Sequence, residues 1–168
     1  MSSEDCIWIL RLLIMSIITV AALFDDLRRY KISNKICAAA MLSGIILLLC
    51  DIAMGHSVVE YIAGAVSAFV IMLIAHMLMA VGAGDVKLMG AMGLILGFKF
   101  VNKVILLAFV CTAFLGTVLI MCGRCGVKNI AGKKFHTIHF TSALAIAEFV
   151  MTAACLTEYA GKLYLGGV

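Results

Sequence analysis

The 168-residue chain has no proline and a single tryptophan, and only 13% of its residues are charged. Soluble domains carry about 25% charged residues and roughly 45–50% apolar ones. Here the hydrophobic share is 65%, so a soluble core built from this chain would lack polar groups to cover it. A soluble globular domain is thereby excluded. Without proline, every turn must be made without that residue's fixed φ. The formal charge of +4 is too modest to mark a nucleic-acid partner, and none is expected. Seven cysteines (Cys6, Cys37, Cys50, Cys111, Cys122, Cys125, Cys155) form no disulfide framework, because most sit inside apolar runs and act there as small hydrophobes. The opening MSSEDCIW is acidic where a secretory signal would be basic, so a retained first helix is expected.

What is abundant is long apolar sequence. A spanning helix needs about 20 such residues, and six segments qualify: Ile7–Leu23, Ile36–Ile52, Val58–Val81, a short one from near Gly84 to near Phe98, Val104–Cys122, and Ile138–Tyr159. The expected fold is all-α, a multi-pass protein of the plasma membrane with residues 1–168 forming one domain. With the N-terminus outside, the cytoplasmic side holds Arg28, Arg29, Lys31, Lys35, Lys87, Arg124, Lys128, Lys133 and Lys134. The outer side holds Arg11, Lys99, Lys103 and Lys162. Nine against four has the sense of the positive-inside rule. Merging the fourth and fifth segments would reverse the balance. Gly93 and Gly97, with Gly90 nearby, suggest close helix packing by the fourth span.

The same topology sorts the acids. Asp25 and Asp26 end the first span at the cytoplasmic face, and two crossings later Asp85 meets that face again. Two carboxylates sharing a site push their proton affinities apart, so that one ionises first. The ionised member can activate water while the protonated one donates to a carbonyl oxygen. Glycines flank Asp85 in VGAGDVKLMGAMG (residues 81–93); they would let an extended backbone come close and permit unusual dihedrals. The bland alternative is a set of solvated boundary acids balancing Arg28, Arg29 and Lys87.

The stretch Gly82-Ala83-Gly84-Asp85 followed by VKLMGAMGLILG resembles the GxGD motif of the type IV prepilin peptidases. AALFDDLRRYKISNKI (residues 21–36) resembles that family's other motif, an aspartate, a basic stretch and Ile-Pro-Asn. Matching D-x-R…I-x-N sets Asp26 as the first catalytic aspartate, with Arg28, Ile32 and Asn34 in step; Asp25 is the alternative one residue away. Ser33 stands where the family usually has proline, a departure that removes a rigid turn but no catalytic group. The resemblance implies an aspartyl endopeptidase with Asp26 and Asp85 catalytic and no cofactor. Gly82, Gly84, Lys87, Arg28 and Asn34 are its motif residues around the substrate's approach. The implied substrates are type IV prepilin or pseudopilin precursors, whose short basic leader is removed at the cytoplasmic membrane face. Larger members also carry a methyltransferase insertion with two CxxC pairs. Here the first connection is only about a dozen residues, so the chain resembles the short, peptidase-only form of the tight-adherence (Flp) pili.

Several residues stand outside this reading. Cys122, Cys125, His136 and His139 approach zinc-ligand spacing, though the usual second half is H-x₃₋₅-H. Interfacial cysteines and headgroup-level histidines are the preferred account, with zinc as the alternative. Glu148, midway along the sixth span, and His76, in the third, are ionisable groups at membrane depth. Each reads as an interior hydrogen-bonding partner, and Glu148 alternatively as part of a polar cavity reaching the site. Two other functions compete: a small transporter or channel subunit with Asp26, Asp85, Glu148 and His76 along an ion path, and a non-catalytic partner in secretion assembly. The halves show no internal repeat of the kind transporters often have, and the acids gather at one face instead of the midplane.

Overall fold

The computed structural model describes residues 3–29, 32–78, 81–121, 126–130, 133–137 and 140–165. Among the described residues there are six helices: α1 (Ser3–Arg29), α2 (Asn34–Ala53), α3 (Val59–Met77), α4 (Ala83–Leu96), α5 (Phe98–Met121) and α6 (Phe140–Leu165). All but α4 are long and apolar enough to cross a membrane. Their outward faces are apolar, with Ile17, Leu42, Val66, Leu106 and Phe114 all exposed. Such a surface suits hydrocarbon, where helices satisfy their own backbone groups. Between α5 and α6 lies an antiparallel hairpin, β1 (Gly126–Ile130) and β2 (Lys133–Thr137). The hairpin is a small addition to the helical bundle that the sequence predicts. Its strands pair with each other in a polar connection outside the apolar runs.

The short α4 is the pillar of the bundle. Ten of its 14 residues are buried, and α1, α2, α3 and α5 all pack on it. At 1.5 Å per residue it is ~21 Å long, less than the ~30 Å hydrocarbon core. Gly97 ends it with φ 80°, a left-handed conformation that favours glycine, and α5 starts at the next residue. The Gly93–Gly97 spacing thus does two separate jobs. Gly93 lies against the backbone of Gly64 on α3, where an added Cβ would collide with the Gly64 carbonyl. Conversely, a Cβ on Gly64 would come within 2.6 Å of the Gly93 carbonyl oxygen. Gly97 breaks the helix.

The two ends of the bundle are chemically distinct. At one end Trp8 on α1 meets Phe100 on α5 edge-on, with ring centroids 5.8 Å apart, and its Nε1–H points to Cys155 Sγ on α6 at 3.4 Å. Arg11, assigned to the outer side from sequence, is at the same end and fully buried instead of lying free at the boundary. Its guanidinium pairs with buried Asp51 on α2, donates to the Ile95 carbonyl of α4 at 2.6 Å, and lies 4.1 Å from the ring centre of Tyr61 on α3. One side chain therefore ties α1 to three other helices. Removing one member of a buried ion pair leaves an uncompensated charge, at a cost of roughly 3–5 kcal/mol. Arg11→Met should lower stability by about that amount in a detergent unfolding measurement, and adding Asp51→Leu should recover most of it. A loss below ~1 kcal/mol for Arg11→Met would mean that the clasp does not hold the bundle.

Candidate active site

At the other end, three helices bring polar side chains into the apolar interior. Asp26 comes from the last turn of α1 and is 8% exposed; Asp85 comes from the first turn of α4 and is 7% exposed. Both are buried at the end where the alternation of crossings brings them, and they lie close enough for charge on Asp26 to act on Asp85. Thr141, in the first turn of α6 and 1% exposed, donates its hydroxyl to Asp85 Oδ1 at 2.9 Å. Solvated boundary acids would be exposed, so that account does not describe these two.

Asp85 lies outside the five span-length helices, and its proton affinity is set by its surroundings. Burial pushes its carboxyl up to about 6, and the negative charge of Asp26 adds to the rise. The Thr141 hydroxyl and a backbone contact with Gly82 pull the other way. A carboxyl that holds a proton close to neutrality, beside a second carboxylate, is equipped for acid–base chemistry.

Asp25 and Asp26 are neighbours with separate surroundings. Asp25 accepts the backbone N–H of Ser33 at 2.8 Å and pairs with Arg29 at 3.3 Å. It fastens the connection between α1 and α2. That connection, residues 30–33, is shorter than the sequence suggested because α1 continues to Arg29. Ser33 then caps α2, its hydroxyl accepting from Lys35 N at 3.3 Å. A proline at 33 could not donate to Asp25, so the departure from the family's motif comes with a different way of holding the loop.

The glycines of Gly82-Ala83-Gly84-Asp85 act otherwise than expected. Neither Gly82 nor Gly84 has positive φ, so unusual dihedrals are not their role. A Cβ on Gly84 would stand 3.1 Å from the Ile32 side chain, so this glycine lets the two motifs pack on each other. A Cβ on Gly82 would stand 3.1 Å from Asp85 Oδ2; glycine here spares that oxygen a tight contact. Cys37 on α2 extends its thiol to the Gly84 carbonyl at 3.6 Å. Lys87 donates to Asn34 Oδ1 at 3.3 Å, a second link between the motifs. Arg28 is exposed and stacks over Phe24 at 4.9 Å. With Arg29, Lys35 and Asp25 it lines an open groove at the same end.

His76 is at the end of α3, and its Nδ1 lies 2.8 Å from the Val81 carbonyl. Since a carbonyl only accepts, Nδ1 carries the hydrogen, and the ring braces the backbone just ahead of Gly82. Glu148 is buried on α6 and faces Ser16 and Thr19 of α1, inside the bundle and about two turns along from Thr141. Cys122, Cys125 and His139, and the side chain of His136, lie outside the described residues. Among the described residues no group of three or more His, Cys, Asp or Glu could hold a metal. Thr141, Cys37 and the Arg11–Asp51 pair were missed from sequence. A lone hydroxyl at the start of an apolar run carries no signal of its partner.

A family model, the type IV leader peptidase family, matches residues 12–121, well over half of the chain. The protein belongs to this family of membrane peptidases. No curated protein and no solved structure matches the chain.

The Asp25–Ser33 contact makes an unusual prediction. Ser33→Pro restores the family's usual residue and suits the observed φ of −67°, which would by itself stabilise by ~0.4–1 kcal/mol. It also deletes a donor to a carboxylate, worth about 1.5–3 kcal/mol. The net effect should be a loss of roughly 1 kcal/mol relative to Ser33→Ala, which keeps the N–H. Thermal unfolding of the two variants in detergent checks this, and a Pro variant more stable than the Ala variant would contradict it.

Proposed function

We propose that the protein is an aspartyl endopeptidase of the GxGD type that removes the short basic leader of type IV prepilin-like precursors, with Asp26 and Asp85 as its catalytic pair. The observation that carries this reading is the meeting of two buried carboxylates, 59 positions apart in sequence, at one end of a helical bundle. Membership of a leader peptidase family supports this substrate class. In the proposed reaction the ionised carboxylate takes a proton from water, which attacks the scissile carbonyl. The protonated carboxyl donates to the carbonyl oxygen and the peptide C–N bond then breaks, with a proton passing to the leaving amine. The roles belong to the coupled pair and not to a fixed member of it. Arg28, Asn34, Lys87, Gly82 and Gly84 would shape the approach of the substrate backbone.

The site is proposed to face the cytoplasm at the plasma membrane, where a single-span precursor leaves the bilayer. The basic residues at this end, Arg28, Arg29, Lys35 and Lys87, support that orientation. In intact cells an impermeant thiol reagent should then label exposed Cys6 at the opposite end. Protection of Cys6 until the cells are opened would reverse the orientation. The four-residue connection between α1 and α2 supports a peptidase-only form without the methyltransferase insertion, as in tight-adherence pilus systems.

Co-expression with a candidate pilin, read as a precursor-to-mature shift on a gel, tests the activity. Asp26→Asn and Asp85→Asn should each reduce processing by about 10⁴-fold or more, and the double variant should be no worse, because residues acting as a unit are non-additive. Asp25→Asn should keep most cleavage, since Asp25 serves the loop. Substantial processing by either Asp26→Asn or Asp85→Asn at normal expression would overturn the reading.

A further inference from the structure

We propose that Thr141, on a helix beyond the segment matched by the family model, is a positioning residue that fixes the orientation of the Asp85 carboxyl. The proposal rests on the reading of Asp85 as catalytic. Its hydroxyl donates to Oδ1 at 2.9 Å, with both side chains buried. Oδ2 is the other half of the arrangement: no side chain at Gly82 covers it. One oxygen is therefore held from α6, and the other faces Gly82, where no side chain competes with the reacting water or carbonyl. A carboxyl rotates readily about its last bond, and without a fixed donor its two oxygens would exchange places. Elsewhere around Asp85 stand Asp26 from α1, the Cys37 thiol from α2, and Lys87 two residues along α4. The Thr141 hydroxyl is the side-chain donor that α6 brings to the Asp85 carboxyl, which also meets the backbone of Gly82.

The hydroxyl donor favours the charged carboxylate. Removing it makes Asp85 hold its proton to higher pH. Two or three donors together can lower a carboxylate by about two pH units, so one accounts for ~0.5–1. The direction is specific: a merely structural role for Thr141 would lower activity without moving the titration upward.

The test uses the full chain in lipid nanodiscs with a prepilin-like peptide, comparing wild type, Thr141→Val, Thr141→Ala and Thr141→Ser. Two readouts are followed against pH: kcat, and modification of Asp85 by a carbodiimide, which reacts with the protonated carboxyl and is located by mass spectrometry. For Val and Ala, kcat should fall about tenfold with little change in KM, and both the alkaline limb of kcat and the labelling midpoint should move up by ~0.5–1 pH unit. Thr141→Ser, which keeps the hydroxyl, should return both toward wild type. Unchanged midpoints and kcat in whichever of Val and Ala folds would overturn the proposal, as would a Ser variant no better than Ala. Labelling needs no proteolysis, so the two readings fail separately. A wild type that never cleaves the peptide counts against the peptidase reading, while the labelling midpoint still tests the Thr141–Asp85 contact.

Discussion

A buried guanidinium in a membrane protein must be satisfied by the protein itself, and Arg11 shows how much structure follows from that requirement. Its ion pair with Asp51, its bond to the Ile95 carbonyl and its place over Tyr61 draw α1, α2, α3 and α4 to one point. In a medium where apolar packing between helices has little hydrophobic advantage over lipid, such a polar knot sets the relative depth of the helices. Depth matters at the far end. Asp26 lies fifteen residues along α1 from Arg11, and Asp85 ten residues back along α4 from Ile95. At 1.5 Å per residue these are ~22 Å and ~15 Å, and both runs end at the carboxylate pair. The Gly64–Gly93 contact fixes α4 against α3 by close backbone approach, so the pillar that carries Asp85 has little freedom to slide.

The large features were legible in the sequence because helical membrane proteins obey a simple rule. Each crossing changes sides, so counting apolar runs placed Asp26 and Asp85 at one end with no knowledge of packing. The two motifs were legible as text, and the structure joins them through Ile32 against Gly84 and Lys87 with Asn34. What was not legible depends on which face a residue presents. Arg11 was counted as an outer charge, because nothing in one sequence says that Asp51, forty positions away, turns toward it. The glycines around Asp85 suggested conformational freedom, whereas their use is the space left by a missing Cβ. Asp25 and Asp26 differ by about 100° around one helix. That rotation alone gives one to the loop and the other to the interior.

The last helix carries a consequence for how the protein is made. Glu148 lies midway along α6, and an ionisable group alone at the bilayer centre costs at least ~2.5–3.5 kcal/mol on insertion scales. In the folded bundle it is enclosed against Ser16 and Thr19 of α1, groups that reach the membrane long before α6 is synthesised. The helix is therefore poorly suited to lingering in lipid and well suited to docking on a bundle that already exists. Docking is also what delivers Thr141 to Asp85. The two acids can be synthesised and inserted early, yet the surroundings of Asp85 are complete only once the sixth helix is in place. Maturation of the site is thus tied to completion of the chain, a timing device written in the order of the helices.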